Sequence, residues 1–382
     1  MQTIDLEGGP VRIAGALDLD RSPSGISPRR LPAWTRPQIT DPLTKAVVAM
    51  PSGVRLEFST DATALELDVL TTTLQTGDRI PADPAFDLVV DGEFFERQTT
   101  VRGNRLLFNA VTQEVRLERG EVDTMHFDGL APTMKRIELW LPQNASMRLQ
   151  TLRISDGARA VAPTLGGRRR WIHYGSSISH CMEAAGPTGV WPVVTARLAD
   201  LDLQSLGLGG SCHLDQFAAR TIRDLPADLI SLKVGINVVN GETLKERTFG
   251  PALHGFLDTV RDGHPRTPLL LVSPIICPCA EDHPGPTVPD AGGVFRVIDR
   301  PAALMNGCLT LRRIREIVSD IVAMRRDAGD TNIHYLDGLA LFGEADLGDL
   351  PDGLHPNGPG YQRMGERFHA AAFAKGASFA AR

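Results

Sequence analysis

Cysteine is scarce in this 382-residue chain: there are five, at positions 181, 212, 277, 279 and 308. The odd count argues against a disulfide framework, and no Cys-x-x-Cys pair offers the spacing of a zinc ribbon or finger. An excess of positive charge is also missing. Lys and Arg number 40 against 46 Asp and Glu, a formal net charge of -6, so there is no electrostatic footprint for nucleic acid or an anionic membrane. Long apolar runs are lacking too. The most apolar stretch, Leu269 to Cys277, is interrupted by Ser273-Pro274 and falls far short of the roughly 20 residues that span a bilayer. The opening MQTIDLEGGPVRIAGALDLD has no basic segment followed by an apolar one, as a secretion signal would. The expectation is a cytoplasmic protein with no nucleic-acid or membrane partner; nothing in the sequence sets its oligomeric state.

What is present divides the chain in two. Val54-Arg55-Leu56-Glu57-Phe58 and Ala64-Leu65-Glu66-Leu67-Asp68-Val69 alternate with period two, and so do the runs 136–141 and 147–154. Phe86 to Val90, then Asp91-Gly92, then Glu93-Phe94-Phe95 reads as a hairpin with a tight turn. Helical periodicity is absent before about residue 155, so residues 1–158 are expected to form an antiparallel β-sandwich of the jelly-roll kind. Residues 159–169, glycine-rich towards their end, read as a linker. From 170 to 382, apolar strands at 171–174, 203–207, 229–234, 269–272 and 333–336 alternate with helical segments. The clearest of these sets Leu311, Ile314, Val318, Ile321 and Val322 on one face. The expectation there is an α/β domain of three layers, a parallel sheet with helices on both faces, whose ligands bind at the carboxyl ends of the strands.

Those strand ends carry the chemistry. The first runs into Gly175-Ser176-Ser177, the second into GLGGSCHLD, the third into Gly235-Ile236-Asn237, and the last leads by a long loop to LPDGLHPNGPGY with Asp352 and His355. Singly each has a plain reading: a helix-capping serine, a turn glycine, a turn asparagine, a solvated loop histidine. Together they supply what acyl transfer needs: a serine at a strand-to-helix turn, a backbone N–H at a glycine, an amide donor, and an Asp and a His three residues apart.

The order Gly-x-Ser, Gly, Gly-x-Asn, Asp-x-x-His resembles that of the SGNH hydrolases, the GDSL esterase/lipase superfamily, over residues 171 to about 370. The resemblance implies Ser177 as nucleophile, His355 as general base and Asp352 as the residue that orients it. It also implies an oxyanion hole of the Ser177 and Gly210 N–H groups with the Asn237 side chain. Two positions depart from the family pattern: Ser176 stands where Asp is usual, and Val238 stands where Asp often follows the Asn. A sandwich ahead of the catalytic domain is similar to the arrangement in SGNH carbohydrate esterases, and the Gly, Asp-Leu and Arg pattern near residues 15–36 looks like their N-terminal domain.

His180, Cys181, Cys212, His213, Cys277 and Cys279 also follow strand ends. No spacing among them matches known zinc patterns, so neither metal nor cofactor is expected. His180, Cys181, His213 and Glu281 are instead candidates for the substrate pocket. The activity expected is that of a serine esterase on short acyl esters, acetyl first among them, with an acylated carbohydrate as one small-molecule substrate. Alternatives are a thioesterase or lipase of the same fold, or a catalytically silent carbohydrate-binding protein. The GLGGS stretch fails the spacing of a phosphate-binding loop, and no amphipathic lid favours a lipase.

Overall fold

The structure is a computed structural model that describes all residues except 77–79, 110, 111, 113, 165, 381 and 382. The chain forms two compact units, one of residues 1–168 with 185–190 and the other of residues 169–184 with 191–382.

In the first unit an eight-stranded and a six-stranded sheet are built on one apolar core that includes Leu56, Phe58, Leu67, Val69, Phe86, Leu88, Phe127, Leu139 and Leu149. Pairing is antiparallel except between Leu65–Thr76 and Asn104–Phe108, which run parallel. The Asp91-Gly92 turn joins Ala85–Val90 to Glu93–Thr99, with φ of 51° and 93°, as a tight hairpin turn requires.

Three features depart from the sequence reading. Pro42–Val48 is a helix, started by proline at its first turn and by Asp41, whose carboxylate accepts from Thr44 N at 2.6 Å. Ala160–Val161, inside the expected linker, pairs with Arg55–Thr60. Arg55 and Glu57, the polar members of an alternating strand, are both buried. They are buried as a charge cluster: Glu57 meets Arg55 at 2.8 Å, Arg12 at 2.7 Å and Arg168 at 2.9 Å. Burial alone would raise the pKa of Glu57, but the three guanidinium groups outweigh it and hold the carboxyl at about 2.

The second unit is a five-stranded, all-parallel sheet. Its elements, numbered within the unit, are β1 (Arg170–Gly175), β2 (Asp202–Gly207), β3 (Leu229–Lys233), β4 (Leu269–Val272) and β5 (Ile333–Leu336). Spatial order is β2-β1-β3-β4-β5, the flavodoxin-like arrangement, so the chain reverses direction across the sheet between β1 and β3. The helices are α1 (Ser177–His180), α2 (Trp191–Leu198), α3 (Gln216–Asp224), α4 (Ile236–Gly241), α5 (Glu246–Gly263), α6 (Leu311–Asp327) and α7 (Gly358–Phe373). β3 and β4 are fully buried, as parallel strands covered on both faces must be. Trp171 of β1 stacks on Phe368 of α7 at 5.4 Å, and Trp191 of α2 packs on the same ring at 5.1 Å. No helix among the described residues is long and apolar enough to cross a membrane.

The end of β1 and the end of β2 lie side by side, Gly175 opposite Gly207. α1 packs so closely on β2 that a Cβ at Gly207 would sit 2.5 Å from His180 N and 2.5 Å from the Ser179 carbonyl carbon. Both obstacles are backbone, so neither can rotate away. Gly207→Ala should cost about 1–3 kcal/mol through overpacking. It should lower the melting temperature by several degrees and displace α1, so that any turnover through Ser177 falls as well. A variant with wild-type melting and turnover would show that this close approach imposes nothing.

Candidate active site

The site is assembled at the carboxyl ends of the strands. Ser176 is the N-cap of α1, its hydroxyl accepting from Ile178 N at 3.3 Å. The plain role of a helix-capping serine therefore falls to Ser176, and Ser177 is left with its side chain towards the far loop. Ser177 Oγ lies 2.9 Å from His355 Nε2, and His355 Nδ1 lies 2.8 Å from Asp352 Oδ2. The sequence separation of Ser177 and His355 is 178.

The short loop that presents Asp352 and His355 is held from within. Asp352 Oδ1 accepts from His355 N at 2.7 Å and Leu354 N at 2.9 Å, and Gly353 turns the chain with φ +77°. Burial works against ionisation of Asp352, but the contact with His355 and the two N–H donors prevail, leaving its pKa below the ordinary carboxylate range. It is thus a carboxylate at neutral pH, and His355 Nδ1 donates to it. Nε2 then faces the Ser177 hydroxyl as an acceptor. Around the loop, Asp346 meets Arg367 at 2.6 Å, and Asn357 caps α7 by accepting from Gly360 N at 2.9 Å. Phe295, from a small hairpin not foreseen in the sequence (Thr287–Pro289 with Phe295–Val297), packs steeply inclined to the His355 ring, with centroids 5.6 Å apart.

α1 is anchored from below by buried polar groups. Trp171 Nε1 donates to Ser231 Oγ at 2.9 Å, Ser231 Oγ meets His173 Nδ1 at 2.7 Å, and His173 Nε2 meets Ser179 Oγ at 2.8 Å. Burial, reinforced by Lys233, pushes the His173 pKa down to about 3, so this imidazole is neutral. Ser179 is thereby tied to β1, two residues beyond Ser177.

Asn237 stands on the first turn of α4, just after Gly235, whose φ is +115°. Its Oδ1 accepts from Cys212 N at 3.0 Å, which directs Nδ2 away from that turn as a donor. Gly210, at φ +68°, is braced by His213, whose Nε2 donates to Gly210 O at 3.0 Å while Nδ1 accepts from the Thr243 hydroxyl at 2.9 Å. Of the residues proposed for a pocket, His213 is half-buried beside Gly210, and His180 is buried against Gly207 and Gly209. Two are employed otherwise. Cys181 is fully buried with its thiol on Ile178 O at 3.3 Å. Glu281 is committed to buried Arg315 at 2.6 Å and 2.8 Å, and it accepts from Cys277 N at 3.0 Å. One acidic residue went unnoticed in the sequence: Glu183, 3.9 Å from His355 Nδ1. No motif or periodicity marks it. Among the described residues, no three His, Cys, Asp or Glu side chains gather as a metal site.

A hydroxyl, an imidazole and a carboxylate in one hydrogen-bonded line, at the carboxyl edge of a flavodoxin-like sheet, define an enzyme of the acyl-hydrolase and acyltransferase class. Comparison with known proteins agrees. The GDSL-like Lipase/Acylhydrolase family model matches residues 173–363, and the SsfX3 N-terminal domain model matches residues 11–150. The chain belongs to the GDSL-like lipase/acylhydrolase family and carries an SsfX3-type N-terminal domain. It is 30 % identical to the salicylyl-acyltransferase SsfX3 from a tetracycline biosynthetic pathway, with 96 % of this chain and 95 % of that one covered and a TM-score of 0.80. A putative GDSL-like lipase from Bacteroides ovatus matches at 17 % identity, 94 % of each chain and a TM-score of 0.67. A family two carbohydrate esterase from Clostridium thermocellum, solved with cellohexaose, matches at 13 % identity, 94 % of this chain, 97 % of that one and a TM-score of 0.59. At such identities the last two speak for the fold alone. No curated protein matches the sequence.

The thiols differ in character. Burial pushes Cys212 up to about 12 and Cys181 well above the ordinary thiol range, and Cys277 is raised by its contact with Cys279. Cys279, 3.7 Å from Cys277 Sγ and half-buried, is lowered to about 7 by its contact with the Cys277 thiol, which outweighs partial burial. Near neutral pH Cys279 should therefore be alkylated well before Cys181, Cys212 and Cys277. Peptide mapping after brief iodoacetamide treatment checks this, and earlier labelling of any of those three contradicts it.

Proposed function

We propose that the protein is a serine esterase in which Ser177 attacks the ester carbonyl. The hydrogen-bonded line Ser177 Oγ–His355 Nε2 and His355 Nδ1–Asp352 Oδ2, at 2.9 Å and 2.8 Å, carries this reading. A serine hydroxyl is a weak nucleophile until a base takes its proton. His355 Nε2 takes it as the Oγ–carbon bond forms, and Asp352 stabilises the imidazolium through Nδ1–H. The carbonyl oxygen, now an anion, is received by the N–H groups of Ser177 and Gly210 and by Asn237 Nδ2. Each such donor contributes about 3 kcal/mol to lowering the barrier in well-studied hydrolases. The bracing of Gly210 by His213, and the orientation of Asn237 by Cys212 N, support these roles because they set donors before charge develops. When the tetrahedral intermediate collapses, the imidazolium protonates the departing alcohol and an acyl-Ser177 remains. Water, deprotonated by His355, then releases the acid.

The acyl group proposed is short, acetyl first, on a small-molecule alcohol for which an acetylated carbohydrate is the first to test. His180 and His213 are proposed to stand at the edge of the acyl pocket. A second reading replaces water by a hydroxyl acceptor, so that the acyl-enzyme is resolved by transfer. The similarity to salicylyl-acyltransferase SsfX3 along almost the whole chain favours it, and the same residues serve both.

Ser177→Ala should cut turnover of p-nitrophenyl acetate by about 10⁵-fold or more, as loss of a triad nucleophile does, with the fold retained. Ser176→Ala removes only a helix cap, a loss of about 1 kcal/mol in stability, and should leave turnover within about tenfold of wild type. Rates and melting curves for the two variants check the assignment. Near-normal turnover by Ser177→Ala, or a collapse confined to Ser176→Ala, contradicts it.

A further inference from the structure

The connection after α1 brings a second carboxylate to the same imidazole nitrogen. Glu183 Oε1 lies 3.9 Å from His355 Nδ1, outside hydrogen-bond range but within reach of its charge. Its other oxygen accepts from the Tyr361 hydroxyl at 3.1 Å. Tyr361 is fully buried in α7, so it fixes where that carboxylate stands. The Glu183 side chain is 22 % exposed and that of His355 is 12 % exposed, so water screens their attraction only in part.

None of the described contacts of His355 brings a positive charge to it. Asp352 comes from its own loop and Ser177 from α1. Phe295 contributes an uncharged ring. Tyr361 stays protonated, because burial and then the charge of Glu183 push its pKa well above the ordinary phenol range. The two carboxylates are the charges that the described contacts bring to the imidazole, and both favour its protonated form.

We propose that Glu183 is a positioning residue for the general base, a second anion that stabilises the His355 imidazolium and sustains part of the activity when Asp352 is absent. The proposal rests on the reading of Ser177 and His355 as nucleophile and base. The bond to Nδ1–H belongs to Asp352; Glu183 acts on it through charge. With Asp352 shortened to alanine, Glu183 is the carboxylate left to stabilise the same proton.

The test is kcat/KM for p-nitrophenyl acetate as a function of pH, from about pH 5 to about pH 9. It compares wild type, Glu183→Gln, Asp352→Ala and the double variant, with Ser177→Ala as control. Glutamine keeps the shape and the Tyr361 contact but removes the charge. The imidazolium then loses its proton more easily, and the acid limb should move to lower pH by about half a unit or more. This midpoint does not depend on how much of a preparation is folded. Asp352→Ala should stay about tenfold or more above the double variant. Superimposable acid limbs for wild type and Glu183→Gln, or a double variant no slower than Asp352→Ala, overturn the proposal. Turnover persisting in Ser177→Ala would instead overturn the assignment of the nucleophile, so the two failures are distinguishable.

Discussion

The site depends on one meeting: a hydroxyl at the end of the first strand of the α/β unit must reach an imidazole on the loop before the last helix. A hydrogen bond tolerates only a few tenths of an ångström, so both ends have to be held. One end is held by the close approach of α1 to β2 at Gly207 and by the Ser179–His173–Ser231 chain beneath it. The other is held by the Asp352 turn and by the anchoring of its loop on Arg367 and the start of α7. The aromatic contacts among Trp171, Trp191 and Phe368 then hold α7 against β1, so the two ends share one support.

The sheet order explains where the three residues proposed as oxyanion donors fall. Ser177 follows β1 and Asn237 follows β3, the neighbours between which the chain changes direction across the sheet; Gly210 follows β2 on the other flank. The crevice outside a switch point is open because successive connections leave it on opposite sides. Three connections that are distant in sequence therefore leave the sheet at the same edge.

Much of this was legible because parallel strands announce themselves as short unbroken apolar runs, and all five of the second unit lie within a residue or so of where those runs stand. The first unit was legible as strands for the opposite reason, strict alternation. Alternation also misled, since Arg55 and Glu57 read as solvent-facing until a set of opposite charges is seen to bury them together. The helix at Pro42–Val48 had its capping Asp-Pro in plain view but is too short for periodicity to register. The contacts of Glu281 with Arg315 and of Glu183 with His355 and Tyr361 could not be read at all. They are pairings between loops and helices far apart in sequence, without any spacing rule to betray them.

The family and the geometry converge on acyl chemistry, and hydrolysis and transfer differ only in what enters after the first half-reaction. On the proposed reading both pass the acyl group through Ser177. The most direct measurement is therefore covalent trapping: treat the intact protein with a fluorophosphonate, digest it and locate the adduct by mass spectrometry. The account predicts one stoichiometric adduct on Ser177, formed more slowly when His355 is replaced by alanine. An adduct on Ser176, or turnover that survives with no serine modified, would contradict it.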